Sequence, residues 1–261
     1  MGRVIAIANQ KGGVGKTTTA IHLGAYLGRS GPVLLVDCDP QANATSWLGQ
    51  DPRTVRPSVY EALLGVTPLA ATVRPTAEHG VWLAPARHDL AGAQVELVDL
   101  PERELRLRAA LAPLRADYPL ILLDCPPSLG LLTVNALAAA DAVLVPVQCE
   151  YLALEGLGQL MESIERVRQH LNPQLELLGL VLTLADARTN LSAQVQQEVR
   201  RHFPTATFQS VIPRSVRLSE APSYGQSILR YDPTSRGALA YAALAAELLQ
   251  RGYGVPAGNR S

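Results

Sequence analysis

A single α/β domain, its mostly parallel, twisted sheet covered by helices on both faces, is the fold class this sequence predicts, and three observations predict it. Short, almost purely apolar runs recur along the chain, longer segments of helical period separate them, and no linker or internal repeat divides the 261 residues. Runs without polar alternation suit strands buried on both faces, and their alternation with helices is the pattern of βα units. A hydrophobic share of 48% supplies the core that such a fold needs.

The first strand is VIAIAN (residues 4–9), followed by a helix over 17–29 that Gly31 and Pro32 end. VLLVD (33–37) is the second strand. Ser58 and Glu61 in SVYE form a capping-box pattern, so a short helix begins ahead of residues 62–64. VWLAP (81–85) is the next strand, and a helix over 101–116 carries Pro101 at its first position. LILLD (120–124) and AVLVP (142–146) follow as strands. Leu154, Leu157, Leu160, Met161, Ile164, Val167 and Leu171 then mark one helical face, whose ordinary role is core packing. LLGLVLT (177–183), the weaker FQSVI (208–212) and an Ala- and Leu-rich helix over 235–251 complete the domain, 1–251. The segment 252–261, GYGVPAGNRS, is rich in turn and breaker residues and is expected to be a disordered tail.

Lys plus Arg and Asp plus Glu both number 23, so the formal net charge is zero. No global attraction to nucleic acid or anionic membrane follows, and any such binding has to use a local patch. The first apolar run is too short for a signal peptide and lacks a small-residue cleavage site, so a cytoplasmic protein is expected. The three cysteines, Cys38, Cys125 and Cys149, each adjoin an apolar run without CxxC pairing. Their expected role is that of buried, small apolar side chains rather than a zinc or redox site.

Arginine takes every basic position except two: the only lysines, Lys11 and Lys16, both fall in KGGVGKTT. An ammonium is a compact charge and a guanidinium a wide fork, so a narrow pocket around a phosphate oxygen selects the first. The end of a phosphate-binding loop, Gly15-Lys16-Thr17, is present, although Gln10 stands where the strict pattern has its first glycine. A strand precedes and a helix follows. Gly12, Gly13 and Gly15 let the backbone curl so that its N–H groups and the helix N-terminus face an anion. Lys16 then meets the β and γ oxygens of a nucleotide, and the Thr17 hydroxyl takes a place on Mg²⁺. Two further strand ends carry carboxylates, Asp37 and Asp39 in VDCDPQAN and Asp124 in LLDCPPS. A carboxylate there faces the ligand crevice of an open α/β sheet, which suits Asp124 to a Walker B role toward the metal.

KGGVGKTT, DCDPQAN and DCPPS, in that order, resemble the deviant Walker A P-loop NTPases of the ParA and MinD superfamily. PVQCEYLALEGL (146–157) and VIPRSVRLSEAPSYGQSI (211–228) resemble its ParA/Soj partitioning branch. The resemblance runs from about residue 4 to 249 and implies an ATPase with ATP and Mg²⁺ as cofactors. It implies that Lys11, Gly12, Gly13, Val14, Gly15, Lys16, Thr17 and Thr18 bind nucleotide, with Pro213 and Ser215 beside adenine. The family often has Asn where this chain has Ser215. Lys11 is implied to reach the partner subunit's phosphates in an ATP-dependent homodimer, Asp39 to orient the attacking water, and Asp37 to hold the metal's shell with Thr17 and Asp124. Arg188, Arg214 and Arg217 match positions that touch DNA phosphates without regard to base sequence. The implied function is chromosome or plasmid segregation, with nucleoid association in the ATP state and release by a ParB-like centromere-binding partner. Two alternatives share the motifs. A MinD-like division ATPase needs a basic amphipathic C-terminal helix for membrane, which GYGVPAGNRS cannot form, and an iron–sulfur carrier needs exposed cysteines. A small-molecule kinase or ligase on the same fold would be stimulated by a metabolite.

Overall fold

The computed structural model describes residues 2–150 and 153–254. β1 (Arg3–Ile7) feeds α1 (Lys16–Leu27), and β2 (Val33–Asp37) is followed by three short helices, α2 (Asn43–Trp47), α3 (Val59–Leu63) and α4 (Leu69–Thr72). β3 (Arg74–Pro75) and β4 (Val81–Ala84) precede α5 (Leu90–Glu96) and α6 (Arg106–Leu111). Strands and helices then alternate through β5 (Leu120–Asp124), α7 (Leu131–Ala139), β6 (Ala142–Gln148), α8 (Ala153–His170), β7 (Glu176–Ala185), α9 (Asn190–His202) and β8 (Thr207–Pro213). α10 (Val216–Glu220), α11 (Ile228–Tyr231) and α12 (Arg236–Gln250) follow.

The strands form one eight-stranded sheet in the order β3-β4-β2-β5-β1-β6-β7-β8. Every pairing is parallel except β3 with β4. β1 lies between β5 and β6, where the connections change side, and the crevice at that point is where such sheets take ligands. Because β1, β2, β4, β5, β6, β7 and β8 run parallel, the loops after them share one edge of the sheet.

Side chains alternate across the sheet, yet both faces are apolar. Val4, Ala6, Leu34, Val36, Ile121 and Leu123 pack toward one helical layer, with Leu107 of α6, Leu137 of α7 and Leu160 of α8. Ile5, Ile7, Val33, Leu35, Leu120 and Leu122 pack toward the other, with Leu23 of α1 and Leu244 of α12. This is the two-sided burial that the unbroken apolar runs predict. The capping box also forms: Glu61 accepts the Ser58 N–H at 2.8 Å, and the Ser58 hydroxyl accepts the Tyr60 N–H at 3.3 Å. All three cysteines are free and buried.

Two expectations need correction. The helix over 101–116 is only α6 followed by a 3₁₀ turn, Ala112–Arg115. Glu102 has φ 51, a left-handed backbone that no helix tolerates, and Pro113 removes an N–H that a continued α-helix would use. The expected tail is folded at its start: Tyr253 is buried, Arg3 lies 5.0 Å from its ring centroid, and its hydroxyl donates to Glu176. An aromatic body with a satisfied polar tip outweighs the breakers around it. The remainder, residues 255–261, lies outside the described residues.

His22 of α1 lies against Trp47 and Tyr241, with ring centroids at 5.4 and 4.7 Å, and accepts the Ile228 N–H on Nδ1 at 3.3 Å. Burial lowers its pKa to about 3. The folded state therefore refuses a proton that the unfolded chain accepts below about pH 6.5, and stability falls as pH falls from there. Lowering the pH from 7 to 5 is expected to cost wild type about 2 kcal/mol relative to His22→Gln. Urea unfolding midpoints of the two proteins at both pH values measure this difference. Equal pH dependence in both would show that His22 does not carry it.

Candidate nucleotide site and arginine rim

The loop between β1 and α1 is shaped by its glycines and held by side chains from outside it. Gly13 and Gly15 have φ of 74 and 88, and a Cβ at either would face open space. The glycines are needed for the turn, and the concavity remains free for a ligand. Asn9 accepts the Lys11 N–H at 3.0 Å while donating to the Pro146 carbonyl at 2.7 Å. On the far side Thr183 of β7 donates to the Val14 carbonyl at 2.8 Å. Val14 is buried, Gly15 precedes the first helical residue, and Thr17 and Thr18 are half-buried in the first turn of α1.

The two lysines occupy opposite environments. Lys16 is 7% exposed, and its ammonium donates to the Lys11 carbonyl at 3.1 Å. Burial lowers its pKa, against the attraction of Asp124, Cys125 and Asp39. Lys11 is exposed, and no carboxylate pairs with its ammonium among the described residues.

Asp37 and Asp124 are register partners on neighbouring strands, and both are fully buried. Asp37 is committed on both oxygens: Oδ1 accepts the Asp39 N–H at 3.1 Å, and Oδ2 accepts the Thr45 N–H at 2.9 Å and hydroxyl at 2.7 Å. Burial raises its pKa to about 6, and these donors pull it back down. Any contact to an ion is left to its remaining lone pairs. Asp124 differs: among the described residues no well-aligned hydrogen bond reaches either oxygen. Burial, then the Asp37 charge, holds it well above the ordinary carboxylate range, and Thr17 and Lys16 pull the other way too weakly. Asp39 is buried and accepts the Gln41 N–H at 2.9 Å.

These residues fit Mg²⁺ and a nucleotide. The orphaned Asp124 oxygens are the kind of buried polar group that demands a partner, and a divalent cation supplies one. Among the described residues no group of three or more His, Cys, Asp or Glu could hold a metal alone. That suits Mg²⁺, which keeps waters and takes phosphate oxygens beside one or two protein ligands.

Along the same sheet edge, the loop after β7 carries Arg188, β8 ends at Pro213, and Arg214, Ser215 and, in α10, Arg217 follow it. Pro213 and Ser215 are half-exposed. All three arginines are exposed and each is paired. Arg188 makes a two-pronged bond to Asp186 at 2.9 and 2.6 Å, Arg214 reaches Glu150 at 2.9 Å, and Arg217 reaches Glu220 at 3.0 Å and Asp232 at 3.4 Å. Bonds from Arg188 hold Asp186 well below the usual carboxylate range. Exposed pairs of this kind exchange readily for other anions.

An AAA domain model matches residues 2–177. The chromosome partitioning protein ParA of Myxococcus xanthus is 53% identical over 252 residues, covering 96% of this chain and 89% of that protein. The sporulation initiation inhibitor protein Soj of Bacillus subtilis is 52% identical over 253 residues, 97% of this chain and 100% of its own. Among solved structures, cobyrinic acid a,c-diamide synthase of Mycobacterium smegmatis with bound ADP and magnesium superposes with TM-score 0.86 at 43% identity, covering 97% of this chain and 96% of that one. With a matching domain model over most of its length and relatives more than half identical from end to end, the chain belongs to the ParA/Soj-type partitioning ATPases of the ParA/MinD family.

Proposed function

We propose that this ATPase is a DNA-partitioning switch: ATP drives a sandwich homodimer that holds DNA without sequence preference, and hydrolysis, stimulated by a ParB-like partner, releases it. The observation that carries the reading is the split between the lysines. Lys16 is buried against its own loop, while Lys11, in the same loop, is exposed and pairs with no carboxylate among the described residues. Two nucleotide-bearing faces repel, and one lysine from each offsets that repulsion.

Within one subunit, the loop amides from Gly12 to Thr18 and Lys16 orient the triphosphate. Mg²⁺, which Thr17 and Asp124 would hold, neutralises phosphate charge when bound. Asp39 orients the water, for which fixed geometry matters more than a strong base. Pro213 and Ser215 border the base. Arg188, Arg214 and Arg217, on the same sheet edge, release their carboxylate partners to DNA phosphates, and a dimer doubles the patch. The protein then resides in the cytoplasm and on the nucleoid when ATP-bound.

The alternatives fare less well. No helix among the described residues is long and apolar enough to cross a membrane. Cys38, Cys125 and Cys149 are at most 3% exposed, so no thiol is available to share a cluster between subunits. A small-molecule synthase, the name borne by the Mycobacterium smegmatis structure, predicts turnover stimulated by a metabolite. DNA retention decides between these readings. Wild type is expected to retain duplex DNA with ATP but not with ADP or without nucleotide. Arg217→Ala is expected to weaken retention and flatten its log–log salt dependence by about one unit per subunit. Retention indifferent to nucleotide and to the substitution would overturn the DNA reading.

A further inference from the structure

Thr45 lies outside every motif the sequence displays, yet its hydroxyl joins two other parts of the fold behind the hydrolysis site. It is fully buried in α2, a helix whose start has no side-chain cap of its own. Its hydroxyl accepts the Ala86 N–H at 2.8 Å, beyond the end of β4, and lies 2.7 Å from Asp37 Oδ2. The Ala86 amide can only donate, so the hydroxyl proton is directed at Asp37. The Thr45 N–H reaches the same oxygen at 2.9 Å.

Asp37 therefore cannot rotate without breaking two bonds to Thr45. Its other oxygen accepts the Asp39 N–H at 3.1 Å, which fixes the peptide that presents the Asp39 side chain. The far end of α2 is pinned as well, because the Trp47 indole N–H donates to the Gln226 carbonyl at 2.9 Å. A buried hydroxyl that both donates and accepts thus ties β2, α2 and the end of β4 together at the point where Asp39 leaves the sheet.

We propose that Thr45 is a positioning residue for ATP hydrolysis: its hydroxyl locks the Asp37 carboxylate, and Asp37 in turn locks the backbone that aims Asp39. This rests on the assignment of Asp39 to the attacking water. Thr45 bonds Asp37 and Ala86 and neither the β1–α1 loop nor Asp124, the groups assigned to the triphosphate and Mg²⁺, so its loss is expected to act on the chemical step more than on binding. A misplacement of about 1 Å at a water-orienting group is enough to slow hydrolysis by one to two orders of magnitude.

The test uses the full chain, with single-turnover hydrolysis at saturating Mg²⁺ and ATP and a separate measurement of ATP affinity by a fluorescent analogue. Thr45→Val, of equal shape, is expected to hydrolyse at least about ten-fold more slowly with affinity within about three-fold of wild type, and Thr45→Ser to recover the wild-type rate within about two-fold. Should Thr45→Val not fold, Thr45→Ala replaces it. A wild-type rate in the variant that folds overturns the proposal. So does an equal loss of rate and affinity, or a Thr45→Ser variant as slow as Thr45→Val, since either marks a role in folding alone. Asp39→Ala, run alongside, separates the premises. A wild-type rate there removes the Asp39 assignment and the Thr45 role with it, whereas an inert Asp39→Ala beside a normal Thr45→Val overturns the Thr45 role only.

Discussion

Asp124→Asn is expected to melt at a higher temperature than wild type without nucleotide, and to lose the further rise that Mg²⁺ and ATP give the wild type. Asp124 is 0% exposed, no well-aligned hydrogen bond reaches its oxygens among the described residues, and Asp37 stands opposite it on the neighbouring strand. Removing water from an unpaired carboxylate is costly, and its raised pKa expresses that cost. Asparagine keeps the shape and removes the charge. The gain is about 1–3 kcal/mol, or roughly 2–4 °C for each kcal/mol in a chain of this size. The sign with pH follows from the raised pKa. The unfolded chain ionises from about pH 4 upward while the folded state resists, so the wild type loses stability as pH rises through that window and the variant's advantage grows.

The same substitution removes the carboxylate assigned to Mg²⁺. Ligand stabilisation scales with ligand concentration over Kd, so a variant that holds Mg²⁺ and ATP poorly shows little shift at concentrations that saturate wild type. Thermal melts with and without Mg²⁺ and ATP read both halves. An apo variant that melts below wild type would mean that Asp124 is stabilised by contacts other than a cation, and the metal assignment would fail. The expected trade, stability in exchange for ligand, is typical of a site that a fold strains to keep.

How much of this was legible in the sequence depends on whether the signal is local. The apolar runs became strands because burial on both faces needs nothing but apolar residues, and LILLD and VLLVD match β5 and β2 residue for residue. β3 is two residues, Arg74 and Pro75, and no period can be read from so short a strand. α7, LLTVNALAA, is buried on nearly all sides and has no polar face to betray it. The phosphate loop was readable because its glycines and lysines adjoin in sequence. What holds it was not: Asn9 reaches Pro146 and Val14 receives Thr183, partners 137 and 169 residues apart. Thr45 is illegible for the same reason, since a threonine in NATSW differs from any other until Asp37 and Ala86 are folded onto it. Nor could sequence pair Arg214 with Glu150, 64 residues away, whereas Asp186 and Glu220 lie only two and three residues from Arg188 and Arg217.

Replacing the two lysines one at a time is expected to give opposite defects from one loop. Lys16 is enclosed by its own subunit: its ammonium bonds the Lys11 carbonyl, and Asp124 and Asp39 attract it. Lys16→Ala leaves those carboxylates to face the triphosphate uncompensated, and ATP affinity is expected to fall by roughly 10²–10³. Lys16→Arg fails too, because the wide guanidinium does not fit where the lysine side chain is enclosed, with only 7% of the residue exposed. Lys11→Ala changes nothing that shapes the loop, since Asn9 binds the Lys11 backbone N–H and not its side chain. ATP affinity should therefore stay within a few-fold of wild type while the ATP-dependent dimer is lost, as light scattering with a slowly hydrolysed analogue would record. If Lys11→Ala dimerises normally, the exposed ammonium does not face a second nucleotide. If it loses ATP affinity as deeply as Lys16→Ala, both lysines serve one nucleotide. Only retained binding without dimerisation makes the second lysine the residue through which ATP in one subunit is sensed by the other.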